Sequence, residues 1–312
     1  MGNYKKIEAA LELGFWEDRL LFNISLYKNR TDNQLVGYPL SSATGFTSIR
    51  ANLPAVIDNK GIEFEIISTN VKTKKFEWTS NANLAINRNK LVAYPDIETS
   101  SFATRYVVGM PLRILFLYKL TGIDPQQGIY TFFDKDKNGT ISPAADKIPF
   151  LRQQIFAGGM NHSLSYKNFS VDLFVQFVNE PGLLIPYRVY PGSFSENGLN
   201  QPVEVLDRWQ KPGDNSKFQK YSQLLNVTRN VAAQYTESNA IIADASFIRL
   251  KNLSISWSTP SQWRQRRIPN IRLFVQGQNL LTFTKYSGLD PESQGNFLPP
   301  LQTVNTGIQI TL

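Results

Sequence analysis

Apolar and polar residues alternate with a period of two along much of this chain. Leu253, Ile255 and Trp257 fall on one face of a segment whose other face carries Asn252, Ser254, Ser256 and Ser258. Ile271, Leu273 and Val275 alternate with Arg272 and Gln276, and the chain runs out on Ile308, Ile310 and Leu312. A strand projects successive side chains to opposite sides, so this period predicts strands with one apolar and one wetted face. The same signature marks residues 4–15, 19–30, 60–69, 76–89, 152–166 and 169–179. In 76–89, for example, Phe76, Trp78, Ala82, Leu84 and Ile86 oppose Glu77, Thr79, Asn81, Asn83 and Asn87. Nine strands are predicted in all. The apolar run Ile114–Tyr118 is assigned to a loop, because a further pass there would break the alternation of directions.

The connections are unequal. Those at 16–18, 70–75, 167–168 and 259–270 are short, whereas 31–58, 90–150, 180–244 and 284–303 are long. Short turns on one side and long loops on the other are the habit of outer-membrane barrels, where strands of about ten residues expose apolar side chains to lipid. An open sheet edge in lipid leaves backbone N–H and C=O groups unpaired, and bacterial barrels close with an even strand number. Nine strands therefore predict an incomplete wall. Aromatic residues near strand ends (Trp16, Trp78, Trp257 and Tyr286) are assigned to interfacial girdles.

Composition narrows the alternatives. With 42% hydrophobic residues and no run near the ~20 apolar residues of a membrane helix, a helical membrane protein is excluded. Half of every barrel strand faces a polar interior, so the average says nothing against a barrel. Cysteine is absent, which removes disulfides and thiolate metal sites. The net charge of +8 is scattered, with one short basic cluster at 264–267, and no nucleic-acid motif accompanies it. The N-terminus lacks the apolar core of a signal peptide.

Three short stretches carry a family resemblance: Asp58-Asn-Lys-Gly-Ile-Glu-Phe64, Phe247-Ile-Arg-Leu-Lys-Asn252 and Gly277-Gln-Asn-Leu-Leu-Thr-Phe-Thr-Lys-Tyr-Ser-Gly-Leu-Asp-Pro-Glu292. With Ser41-Ser-Ala-Thr-Gly-Phe46 and Ser165-Tyr-Lys-Asn-Phe169, their order and spacing resemble the C-terminal half of SusC/RagA-type TonB-dependent outer-membrane transporters of Bacteroidetes. The resemblance covers essentially the whole chain. It implies an all-β fold, with residues 1–312 forming the C-terminal, roughly nine-strand portion of a 22-stranded antiparallel transmembrane barrel with long extracellular loops. The plug and the first barrel strands would be absent from it. The expected location is the cell outer membrane, and the expected function is TonB-dependent import of oligosaccharides or peptides, without catalysis. The implied partners are a SusD-like surface lipoprotein, the TonB complex through the plug, membrane lipid and lipopolysaccharide, and the glycan or peptide ligand; nucleic acid is not among them. The family usually ends in an aromatic residue, where this chain has Leu312. A soluble all-β carbohydrate-binding module is the alternative from another class, and it would bury the apolar face internally.

Few residues suggest specific chemistry. Asp134-Lys-Asp-Lys-Asn-Gly-Thr-Ile141 places oxygen ligands at loop positions 1, 3 and 5 before a glycine, like the first half of a calcium loop. Position 12 is Ala145, and the next carboxylate, Asp146, comes one residue late. The residues Asp134, Asp136, Asn138 and Asp146 read either as a weak calcium site or as an Asx-rich turn. No cofactor is otherwise required. His162 is the sole histidine, which argues against a Ser-His-Asp triad or a multi-histidine zinc site, and its strand gives it a wall position. Tyr187, Tyr190, Trp209 and Tyr221 in the longest loop are candidates for stacking on sugar rings or docking a lid protein, or for packing the loop itself.

Overall fold

In a computed structural model the described residues are 2–184, 203–222, 227–264, 269–295 and 297–311. Tyr187, Tyr190, most of the basic cluster at 264–267, and Leu312 lie outside them. Nine strands form one antiparallel sheet: β1 (Asn3–Phe15), β2 (Leu20–Pro39), β3 (Ser48–Lys72), β4 (Phe76–Ala93), β9 (Phe156–Tyr166), β10 (Phe169–Asn179), β13 (Phe247–Ser258), β14 (Asn270–Thr284) and β15 (Thr303–Thr311). Each pairs with the next, leaving β1 and β15 as edges. The remaining elements belong to the long connections. They are β5 (Ile114–Leu117), β6 (Leu120–Ile123), β7 (Tyr130–Phe132), α1 (Pro143–Asp146), β8 (Ile148–Leu151), β11 (Pro181–Leu183), α2 (Val227–Thr236) and β12 (Ile242–Asp244). One short helix, α3 (Ser261–Arg264), sits in a turn.

The nine strands are those the alternation predicts, and Ile114–Leu117 pairs with Ile148–Leu151 outside the main sheet. One connection is corrected. Residues 31–58 are not a loop: β2 and β3 continue pairing as far as Pro39 and Ser48, leaving only 40–47 between them. The overhang packs on loop residues through Tyr38, Leu53, Ala55 and Ile57 rather than presenting a continuous apolar face, so its composition does not follow a strict alternation. Likewise β9 begins at Phe156, not at 152, and β4 runs on to Ala93.

Antiparallel partners share a face, so the register assigns every wall residue to one side. One row runs Phe76–Tyr166–Phe169–Trp257–Leu273–Ile308. Another runs Leu13–Phe22–Ile66–Ala82–Met160–Val175–Leu250–Leu281. No second layer of described residues covers this face: Ile7 is 73% exposed, Phe283 67% and Ile308 67%. An apolar belt of this extent left bare makes sense only against another apolar medium. At the short-turn end it finishes in the aromatic row above, and Phe177 and Phe283 flank Ile248 near the loop end. Eight residues separate Phe169 from Phe177; at ~3.4 Å per residue and a tilt of ~40° that is ~20 Å of height between ring layers, near the ~25 Å apolar band of such barrels. Tyr286 is not part of a girdle, being 6% exposed and donating its hydroxyl to the Leu183 carbonyl inside the loops.

The buried core sits at the loop end rather than in the sheet. Ala55, Leu91, Tyr94, Ile97 and Phe102 form one cluster at the rim. Tyr130, Phe218 and Tyr235 form a second, in which the Tyr130 and Tyr235 rings stack 4.3 Å apart. The two longest connections interlock here: Tyr118 N–H donates to Glu237 O, Asn239 N–H donates to Tyr118 O, and Lys147 pairs with Glu237 at 2.7 Å.

Candidate lumen and loop site

The inner face is polar and internally bonded. Asn23 and Asn81 both donate to the Glu65 carboxylate, at 3.1 and 3.4 Å, Ser163 donates to Asp172 at 2.6 Å, and Tyr27 donates to Asn87 at 2.6 Å. Gly61 has a local reason: Tyr27 and Asn87 cross the space its Cβ would fill. Such a surface keeps water and can pass a polar solute. His162 lies on the opposite, apolar face, paired with Ser80 and Leu173. Its Nδ1 accepts from Trp78 Nε1 at 3.4 Å and lies 2.6 Å from Ser80 Oγ, and its Nε2 lies 3.0 Å from Met160 Sδ, a position in the wall.

Above the lumen, two of the motif stretches meet. A bulge at Lys251, opposite Asn279 and Leu280, switches the parity of β13, so that Ile248 and Leu250 point outward and Arg249 inward. Arg249 is 1% exposed. It donates from Nε to Thr282 at 2.9 Å, from Nη1 to Glu292 at 2.7 Å, and from Nη2 to Asp290. Lys251 reaches the same Glu292 at 2.7 Å. Asp290 also accepts from the backbone N–H groups of Glu292 and Ser293, each at 3.0 Å. Burial alone would raise the Asp290 carboxyl, but the Ser293 N–H and the Arg249 charge outweigh it and hold it below the usual carboxylate range. The network pins 286–295 across the inner side of β13 and β14. In the sequence these residues stand in two separate motifs, and the signal joining them is the interruption of alternation at Lys251.

A cleft of about 730 Å³ opens between 103–116 and 135–152 in the loop layer. Arg105, Arg113, Lys135, Lys147 and Arg152 line it with Tyr106 and Phe116, and among the described residues no carboxylate does. Arg113 approaches Glu180 at 4.0 Å, and Arg152 donates to Gln294 at 3.1 Å. Burial, then the neighbouring Arg113 charge, lowers the Arg152 pKa. The site suits a ligand with carboxylates or many hydroxyls, and periodicity could not have found it because its residues come from irregular segments.

Of the loop aromatics, Trp209 and Tyr221 are described. Trp209 donates to Pro125 O at 3.1 Å and packs where a Gly128 Cβ would stand, so much of its ring is engaged by the loop. Tyr221 is 40% exposed. In the acidic loop, Asp134, Asp136 and Asp146 place carboxylate oxygens within 4.8 Å of one another. Asp146 gets there although it is one residue out of step, because Ser142 caps α1 and the turn folds the carboxylate inward. Its oxygens accept from Lys135 N–H and Ser142 N–H at 2.8 and 2.7 Å. Asn138 joins the cluster through its amide, Nδ2 donating to Asp136 Oδ2 at 2.8 Å, while its Oδ1 accepts from Thr140 N–H at 2.7 Å and from the Thr140 hydroxyl. The Gly139 N–H, above all, lowers the Asp134 pKa.

No protein-family model matches the chain. Individual relatives do. It is 28% identical over 316 residues to TonB-dependent receptor P3 of Formosa agariphila, covering 93% of this chain and 30% of that protein. It is 24% identical to TonB-dependent receptor SusC of Bacteroides thetaiotaomicron, over 91% of this chain and 29% of that protein. The chain is related to the SusC-type TonB-dependent receptors. It spans about a third of the length of each relative it matches. Among solved structures, the RagAB peptide transporter superposes with a TM-score of 0.79 at 21% identity, covering 99% of this chain and 35% of that one. The RagAB importer in its "open-open" state gives 0.80. The nine-stranded sheet is thus a partial wall of a receptor barrel, and its place is the outer membrane.

Proposed function

We propose that this chain forms the C-terminal part of the wall and outer loops of a SusC-like importer that takes oligosaccharides or peptides across the outer membrane with energy from TonB. The observation that carries the reading is the sheet itself, with a bare apolar belt outside, a hydrogen-bonded polar lining inside and two unpaired edges. A plug and further strands from the rest of a 22-stranded receptor would complete it. A SusD-like lipoprotein would lie on the loop layer. The soluble carbohydrate-binding module would require the outer belt to be covered, and nothing among the described residues covers it. The cationic cleft favours ligands with carboxylates or dense hydroxyls, which both ligand classes offer. The test is TonB-dependent uptake of labelled oligosaccharide and peptide pools by cells carrying the complete receptor. Uptake of one pool that falls when Arg105 and Arg113 become Gln supports the reading; uptake of neither pool overturns it.

A calcium ion is the proposed occupant of the Asp134, Asp136 and Asp146 cluster. Oxygens on opposite sides of a Ca²⁺ bound at ~2.4 Å lie ~4.8 Å apart, so the spacing fits the ion. The competing reading, a turn held by its own N–H bonds, predicts no change in loop proteolysis when calcium is added or chelated.

A further inference from the structure

The apolar belt ends abruptly on β1–β4, and what ends it is positive charge. In register, Ile7, Lys28, Lys60 and Arg88 form one outward-facing row, and Lys5, Arg30, Asp58 and Lys90 form the next row toward the long loops. Those two rows hold six cations and a single carboxylate, Asp58. Arg30 takes that carboxylate in a two-point pair, with Nη2 2.7 Å from Oδ2, and Lys28 stands off at 3.6 Å. Lys28, Lys60 and Lys90 are exposed. Arg88 donates to the backbone carbonyls of Asn87, Gln154 and Ile155, but Lys28 and Lys60 are directly opposed like charges, which repel across a sheet and favour an anion over them. The same residues border a shallow groove of about 440 Å³ whose other walls are apolar, among them Leu26, Ile62 and Ile86. Groove and charge together make an amphipathic surface, greasy toward the short turns and cationic toward the loops.

The geometry points to a binding site for a phosphorylated lipid of the outer leaflet, with its acyl chain along Leu26, Ile62 and Ile86 and its phosphates on Lys28, Lys60 and Lys90. The site rests on the outer-membrane placement of the sheet but not on what the receptor transports. A free phosphate would satisfy the cations and leave the groove uncovered; only a lipid uses both.

The test uses the complete receptor in detergent, examined by native mass spectrometry with three probes: diphosphorylated lipid A, the same lipid A with its phosphates removed, and inorganic phosphate. Wild-type receptor is expected to retain the phosphorylated lipid in strong preference to the dephosphorylated one. Each lysine near an anionic surface contributes about fivefold, so K28Q/K60Q/K90Q should lose roughly a hundredfold in retention. K72Q/K74Q/K75Q, at the short-turn end, should lose none. Equal retention of the two lipids by wild type, or undiminished retention by the triple variant, overturns the site. Displacement of lipid A by equimolar inorganic phosphate would make it a free-anion site and also overturn it. The wild-type comparison decides the matter if the triple variant does not fold. Loss of ligand uptake with lipid discrimination intact would count against the transport reading alone.

Discussion

Arg249 donates from Nη1 to Oε2 of Glu292 at 2.7 Å across 43 positions of sequence, joining the start of β13 to the turn that follows β14. Glu292 is partly exposed while Asp290, on the other arm of the same guanidinium, is 4% exposed. The two carboxylates should therefore respond differently to loss of their partner. Arg249→Met leaves Asp290 buried and unpaired, at a cost of about 3–5 kcal/mol. Glu292→Gln should cost under ~1 kcal/mol. Hydrogen exchange of the 286–295 amides reads both, and equal protection in the two variants would refute the division.

Acid should loosen the same segment. The Asp290 carboxyl is held below its ordinary value of ~3.9, so its stabilising contribution is complete above that value and is lost as pH falls through the depressed one. Glu180, which accepts from Gln294 at 3.2 Å, works in the opposite sense: burial raises its pKa, so its contribution is complete below ~4.3 and is lost as pH rises through the folded value. Proteolysis within 286–295 should be slowest at mildly acidic pH and rise on both sides.

The two faces of the wall should tolerate charge unequally. Leu173 lies outward between His162 and Leu253, whereas Asp172 lies inward, bonded to Ser163. Arginine at Leu173 or Leu84 should cost about 2–4 kcal/mol in lipid, and at Asp172 or Asn83 distinctly less. Denaturant titration of the complete receptor in vesicles measures the difference.

Gly128 has a φ of 67° and supports the Trp209 ring. Gly128→Ala combines left-handed strain of about 1–2 kcal/mol with a steric push on the indole. The Lys220 N–H, which donates to Gly128 O at 2.7 Å, should then exchange faster.

Strand number, direction and facing were legible in the sequence because lipid imposes the period of two, and each such segment carries it. Legibility failed where that demand stops. Residues 31–39 and 48–58 are paired strand without a lipid face, so Thr31, Asn33, Gly37, Asn52 and the two prolines, Pro39 and Pro54, read as loop. The bulge at Lys251 reversed facing in mid-strand and hid Arg249 among outward positions. The acidic loop was visible as spacing, but the inward turn of Asp146 depends on a four-residue helix that no periodicity announces. The cationic rows on β1–β4 were invisible as a group, since only register brings Lys28, Lys60 and Arg88 side by side.

The overhang of β2 and β3 carries a mechanical implication. About ten paired residues beyond Lys28, at ~3.3 Å each, make a ribbon of roughly 30 Å, braced where Tyr38, Leu53, Ala55 and Ile57 pack against the rim cluster around Phe102. Its tip at 40–47 is thus a mast rather than a flap. An epitope inserted there should be readable by antibody on intact cells without disturbing the wall below.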